Sequence, residues 1–248
     1  HIGASIGVVV HPDDGDCLET LRQHADLAMY RSKVEGKGEP CFFDEAMDTA
    51  ERDRRKLETH LRAAIEAEKI DVAFQPIIDS LTGSVSSCEA LARWTEPDFG
   101  PVSPDVFISL AENCGLIDTL GEQILRQACF EARKWPEHIK VAVNLSPRQF
   151  YSGQLVDTIL AVLKDTDLAA DRLQLEVTEN LVIQNPAESF SQLAQLKENG
   201  VQISIDDFGV GYSSLSYFQS FQFDKVKIDK SFVAEVEGSR AAKAIVTA

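Results

Sequence analysis

The sequence predicts an α/β chain built around a TIM-like β/α barrel, and three observations carry that expectation. From about residue 70 onward, short apolar β-like runs alternate with helical stretches, the pattern of a parallel sheet with crossover helices. Five of these runs carry a carboxylate, an amide or an amine at or near their ends: 85–91 with Glu89, 141–143 leading into Asn144, 173–177 with Glu176, 201–205 leading into Asp206 and Asp207, and 226–228 with Lys227, followed by Asp229. Reactive side chains at the C-terminal ends of successive strands are how such a barrel assembles an active site. The length of 248 residues accommodates one barrel or two smaller domains.

The order of elements divides the chain into three parts. Residues 1–43 read as strand, turn, helix and strand: a β-like run at 4–10, a turn cluster at 11–16, helical spacing of Leu18, Leu21, Ala25, Ala28 and Met29, and a stop at Gly36-Lys37-Gly38. A piece this short does not bury enough surface to be a domain alone. Residues 44–69 read as one charged linker helix with a narrow apolar stripe of Leu57, Leu61, Ala64 and Ile65. The stripe suits a solvated connector; a coiled-coil seam needs heptads that this segment does not sustain. Residues 70–248 then give strands at 72–78 and 85–92, helices at 107–111 and 120–133, a strand at 141–145, a helix at 155–163, a strand at 173–177, a helix at 187–199, a strand at 201–206, a short helix near 213–218, a strand at 225–228 and a helix opening after Gly238.

Composition narrows the function classes. A formal net charge of −16 opposes binding to DNA, whose affinity comes from neutralising phosphates. It does not oppose one small anion held at a metal, because the ion reverses the local field. The longest apolar runs, such as 6–10, fall far short of a membrane span, so no membrane contact is expected within this segment. Five widely spaced cysteines without a CxxC pair suit free thiols in a reducing, cytoplasmic setting. The first residue is His1, which suits a piece of a longer protein whose upstream part could hold an anchor.

The chemistry-bearing residues each admit two readings. Asp206-Asp207-Phe208-Gly209-Val210-Gly211 suits a pair of metal-ligating carboxylates followed by a loop that folds back over a ligand, or an acidic turn. Glu176 lies inside an apolar strand; it needs a metal or a basic partner if buried, or it faces solvent. Glu179, just past that strand, suits bracing of a neighbouring loop. Glu89 and Arg93 suit a metal and a phosphate, or they pair with each other. Asn144 offers an amide oxygen to a metal or caps the following turn. Lys227 lines the barrel mouth, where it can orient a water, or snorkels outward, and Asp229 beside it can hold it. The histidines lie away from the strand ends and carry no assigned role. Hard oxygen donors suit magnesium or manganese, and a metal-dependent phosphoesterase is the expected class.

From about residue 57 the chain resembles the EAL domain, a family of cyclic-di-GMP phosphodiesterases. The matching stretches are Phe74-Gln75-Pro76-Ile77, Glu89-Ala90-Leu91-Ala92-Arg93-Trp94, Asn144-Leu145-Ser146, Glu176-Val177-Thr178-Glu179, Asp206 through Leu215, and Lys227-Ile228-Asp229. The resemblance implies a barrel whose first strand is antiparallel. It implies that Glu89, Asn144, Glu176 and Asp206 hold one Mg2+ or Mn2+ ion and Asp207 a second. It also implies that Lys227 orients the attacking water, that Glu179 anchors the loop after Asp207, and that Gln75, Leu91 and Arg93 contact substrate. The implied reaction opens cyclic di-GMP to linear pGpG, in a protein expected to be a homodimer through this domain.

Residues 1–43 resemble the C-terminal tail of a GGDEF domain, through Ser5-Ile6-Gly7 and the stretch from Ala25 to Lys33 followed by Gly36. The loop that names that family is absent, so no cyclase activity is expected of this segment. Two departures stand out. Val210 replaces the Thr common in the family, and the family pattern continues past residue 248 with strands bearing a further catalytic Glu and a substrate-binding Gln. The chain is therefore expected to be inactive alone, as part of an active parent. A non-catalytic cyclic-di-GMP receptor is the alternative; retention of all five expected metal ligands argues against it.

Overall fold

The computed structural model describes residues 4–35, 39–179, 181, 186–209, 221–239 and 242–243. Its contacts divide the chain into one unit at 1–61 and another at 62–248. In the first unit, β1 (Gly7–Val8), α1 (Leu18–Glu35) and β2 (Cys41–Phe42) follow in order, and the two strands pair in parallel. The expected strand at 4–10 shortens to two residues. Its end is drawn into the turn, where the Val10 N–H donates to Asp14 Oδ2 at 2.6 Å and the Asp14 N–H to the Val10 carbonyl at 2.8 Å. Gly7 permits the close approach of β1 to α1, since a Cβ there would overlap the Ala25 carbonyl oxygen and the Met29 backbone. His24 stacks on Phe43, with ring centroids 3.8 Å apart.

The charged helix α2 (Glu45–Glu66) spans the division between the units. Asp44 Oδ1 accepts the Ala46 N–H at 3.0 Å, and Glu45 and Asp48 place negative charge in the first turn, where the helix dipole favours it. Leu61, Ala64 and Ile65 of its apolar stripe are buried, and Leu57 is half-buried.

The second unit continues with β3 (Asp71–Ile78), β4 (Val85–Glu96), β5 (Gly100–Val102), α3 (Pro104–Asn113), α4 (Ile117–Ala132), β6 (Lys140–Asn144), α5 (Leu155–Thr166), β7 (Leu173–Thr178), α6 (Pro186–Glu198), β8 (Gln202–Phe208), β9 (Lys225–Ile228) and α7 (Lys230–Ala234). Local signals explain several boundaries. Pro104 occupies the first turn of α3, Asp167 ends α5 in a left-handed conformation, and α4 stops ahead of Trp135-Pro136. The expected helix near 213–218, the Gly36-Lys37-Gly38 stop and Val210 lie outside the described residues. Strand β5 was not expected. It forms because Glu96 Oε2 accepts the N–H groups of Asp98 and Phe99 at 2.6 and 2.8 Å, turning the chain back so that 100–102 pair with 94–96.

The main sheet runs β3-β4-β6-β7-β8-β9. β3 is antiparallel to β4, and every later neighbour is parallel. Alternation sends one side-chain set of each strand toward the helices and the other toward the opposite face. The helix-facing set, including Ala90, Val141, Val143, Leu175, Val177 and Ile203, packs with Leu125, Ala128 and Cys129 of α4, Ile159 and Val162 of α5, and Leu193 and Leu196 of α6. That layer is the hydrophobic core. The opposite face carries the polar side chains. Gln123 and Gln127 of α4 donate to the carbonyls of Ile65 and Ile70 at 2.8 and 2.9 Å, satisfying backbone acceptors as the chain leaves α2 and enters β3.

Candidate active site

Register places the chemistry-bearing residues on one sheet face. Gln75 pairs with Glu89 across β3 and β4, and Leu91 and Arg93 follow Glu89 at two-residue steps. Glu89 pairs with Ala142, two residues before Asn144; Asn144 pairs with Glu176; Glu176 pairs with Ser204, two before Asp206; and Ser204 pairs with Lys225, two before Lys227. Every expected contact on β3, β4, β6 and β7, together with Asp206 and Lys227, therefore shares the face opposite the core. A one-residue slip in any strand would turn its member into the helices.

The side chains converge on the Lys227 ammonium. Nζ donates to Glu176 Oε2 at 2.6 Å, Asp206 Oδ2 at 2.9 Å and Glu89 Oε2 at 3.0 Å. The other oxygen of Glu89 accepts from Asn144 Nδ2 at 2.9 Å. One carboxylate oxygen from each of Glu89, Glu176 and Asp206 lies within 4.8 Å of the others, close enough to share a metal ion. These contacts settle several of the sequence alternatives. Glu176 is buried at 1% exposure rather than facing solvent. Glu89 pairs with Lys227 and Asn144, while Arg93 Nη1 donates to the Ala92 carbonyl at 2.9 Å, so the Glu89–Arg93 pair does not form. Asn144 does not cap the next turn; Ser146 and Gln149 do so reciprocally as a capping box.

Electrostatics follow from burial and charge count. Burial raises the Glu176 carboxyl to about 7, with Glu89 and Asp206 adding to the rise and the Lys227 hydrogen bond opposing it. Burial works to lower the Lys227 pKa, but its hydrogen bonds to Glu176 and Asp206 outweigh that and hold it above the ordinary value. Because the Glu176 pKa in the fold lies above its unfolded value, Glu176 favours the fold while protonated. That contribution is complete below pH 4.5 and is lost as pH rises through about 7. With all three carboxylates ionised, one ammonium leaves two negative charges, a deficit that suits one divalent cation.

The end of β8 carries two consecutive acids, of which Asp206 joins the cluster and Asp207 is exposed. The β8–β9 register gains one residue between Ile205 and Phe208, and Asp207 sits at φ +52° within that bulge. Its N–H donates to Asp206 Oδ1 at 2.9 Å, and burial, then Asp206 and Asp229, raise the Asp207 carboxyl. Glu179, buried, accepts the Gly209 N–H at 3.3 Å. Asp229 requires a correction as the holder of Lys227. Its side chain accepts from the Ser231 N–H at 2.8 Å and from the Ser231 hydroxyl, which caps α7. The step from Ile228 into the helix turns Asp229 to its own first turn. Sequence reasoning also missed the clamp on the loop after Asn144, where Ser146 Oγ donates to Glu112 Oε1 at 2.6 Å and Arg148 Nη1 to the Glu112 carbonyl at 2.7 Å. Glu112 lies 34 residues from Ser146, so no local signal marks the pair.

Residues 58–248 match the family model described as the EAL domain. The chain belongs to the EAL domain family. It is 38% identical over 241 residues to the cyclic di-GMP phosphodiesterase NbdA of Pseudomonas aeruginosa, covering 96% of this chain and 31% of that protein. It is 34% identical over 251 residues to the cyclic di-GMP phosphodiesterase PdeR of Escherichia coli, covering 100% of this chain and 38% of that protein. The chain thus spans about a third of the length of these curated relatives. Among solved structures, the MucR phosphodiesterase in complex with c-di-GMP matches at a TM-score of 0.73 and 38% identity, over 77% of this chain and 79% of that one. No helix among the described residues of this EAL chain is long and apolar enough to cross a membrane.

Proposed function

We propose that the whole protein carrying this EAL domain hydrolyses cyclic di-GMP to linear pGpG with Mg2+ or Mn2+. The observation that carries the reading is the convergence of Glu89, Glu176 and Asp206 on Lys227, with a residual charge of the size a divalent ion neutralises. The donor set fits the ion: hard carboxylate and amide oxygens, with no thiol or imidazole. Glu89, Asn144, Glu176 and Asp206 would hold one cation, and Asp207 would contribute to a second. A cation bound there lowers the pKa of a water and neutralises charge on phosphoryl oxygens.

The chain's own residues supply the rest. Lys227, beside the three carboxylates, orients the attacking water at phosphorus. As water oxygen bonds to phosphorus, the ester bond to the 3′ oxygen breaks and that oxygen takes a proton, giving one linear dinucleotide. Arg93, held by the Ala92 carbonyl, keeps guanidinium N–H groups for a phosphate, and Gln75 and Leu91 line the same face beside it. Glu179 ties down Gly209 so that the Asp206-Asp207 bulge keeps its shape. Asp229 adds negative field to Asp207 and caps the helix that follows.

In the same reading the protein is a cytoplasmic-facing homodimer through this domain, and residues 1–43 are the C-terminal part of a GGDEF domain. The test is incubation of the whole protein with cyclic di-GMP, with pGpG resolved by chromatography, in Mg2+ and again in Ca2+. Turnover in Mg2+ that is lost in Ca2+ supports the reading. Tight binding without turnover in either ion moves the protein to the receptor class.

A further inference from the structure

Below the carboxylate cluster, the same sheet face continues with polar side chains, Gln174 and Ser204 among them buried, that the reaction above does not use. Gln174 stands two residues before Glu176 on β7 and shares its face. It is 3% exposed, and its Nε2 donates to Glu176 Oε1 at 3.4 Å. Its register partner on β8, Gln202, accepts from Lys140 Nζ at 2.9 Å. Ser204, the register partner of Glu176, is fully buried, yet its hydroxyl has no hydrogen-bond partner among the described residues. The donor that reaches Oε1 is therefore Gln174, and the second oxygen, Oε2, goes to Lys227.

The terminal torsion of a glutamate is broad, so a carboxylate gripped at one oxygen can still swing about its last bond. Two donors on opposite oxygens fix its plane. The residue type at 174 also matters. An amide donates without adding charge, a carboxylate there would set a second negative group against Glu176, and an aliphatic side chain would leave Oε1 buried and bare.

We propose that Gln174 is a positioning residue for the cation site: its amide fixes the plane of Glu176, so that Oε2 stays aimed at the centre of the cluster. The proposal rests on the reading of that cluster as a cation-dependent hydrolytic centre. Partners that orient a ligating carboxylate are worth about 10–100-fold in metal affinity.

Gln174→Met keeps the length and approximate volume of the side chain and removes the donor. In the whole protein, calorimetric titration with Mn2+ is expected to show a dissociation constant raised about tenfold or more. At saturating Mn2+, kcat is expected to recover to within a few-fold of wild type, with KM for cyclic di-GMP unchanged. Gln174→Ala, which opens space instead of filling it, is expected to weaken Mn2+ binding in the same direction. Wild-type Mn2+ affinity in both folded variants overturns the proposal, and so does a lowered melting temperature with unchanged affinity, the mark of a merely structural glutamine. The titration needs no turnover. A wild-type protein that binds Mn2+ more tightly than both Gln174 variants but leaves cyclic di-GMP intact would sink the proposed reaction and leave this inference standing.

Discussion

Glu89→Ala lowers cyclic di-GMP turnover by the whole protein by about a thousandfold or more at saturating Mg2+, a rise in barrier on the order of 4 kcal/mol. The size follows from what one side chain connects. Glu89 Oε2 contacts Lys227 at 3.0 Å, and its Oε1 accepts the Asn144 amide at 2.9 Å. Truncation removes one of three converging carboxylates and frees Asn144 as well. Chromatographic measurement of kcat/KM checks it. A variant that turned over at the wild-type rate would remove Glu89 from the site and, with it, the assignment of β4 as the strand that opens the cation shell.

Lys227→Met gives two effects of opposite sign. Turnover falls by about a thousandfold, since the variant loses the group that orients the water. Cation binding strengthens at the same time. In the structure the ammonium lies within 3.0 Å of all three carboxylates, so it offsets charge that a divalent ion would otherwise meet in full. The comparison belongs at pH 8.5, above the value of about 7 that Glu176 has beside Lys227, where the wild-type Glu176 is ionised and the cation does not compete there with a proton. As pH falls through 7, uptake weakens in both proteins. It weakens sooner in the variant, because removing Lys227 takes away the hydrogen bond that opposes the rise in the Glu176 pKa. Mn2+ calorimetry at pH 8.5 and 6.5 reads this. Weaker Mn2+ binding in the variant at pH 8.5 would mean that Lys227 holds the carboxylates in place for the ion instead of competing with it.

Much of the site was legible because its members break the rule of their surroundings. A glutamate inside Leu173–Thr178 and a lysine inside Lys225–Ile228 interrupt apolar strands, and burial then demands a partner. Each turned out to be the partner of the other, across 51 residues of sequence. Gln75, Leu91 and Arg93 joined the site through resemblance, and strand pairing then placed them on the Glu89 face. Other features depended on information that no local pattern holds. Arg93 four residues after Glu89 reads equally as a pair, and only the arrival of Lys227 and Asn144 from distant strands decides against it. Gln174 looks like any polar residue of an alternating strand until the fold buries it within reach of Glu176. The bulge that carries Asp206 and Asp207 is a one-residue register gain that becomes visible only against β9. Asp229 misled because adjacency in sequence to Lys227 does not survive the turn into α7.

The most direct test of the account is anomalous diffraction from crystals of the whole protein grown with Mn2+. The account predicts a manganese peak bounded by oxygens of Glu89, Asn144, Glu176 and Asp206, with Lys227 drawn away from the centre it occupies between the three carboxylates. A map with no manganese at that cluster, and with Lys227 still bridging Glu89, Glu176 and Asp206, would contradict it.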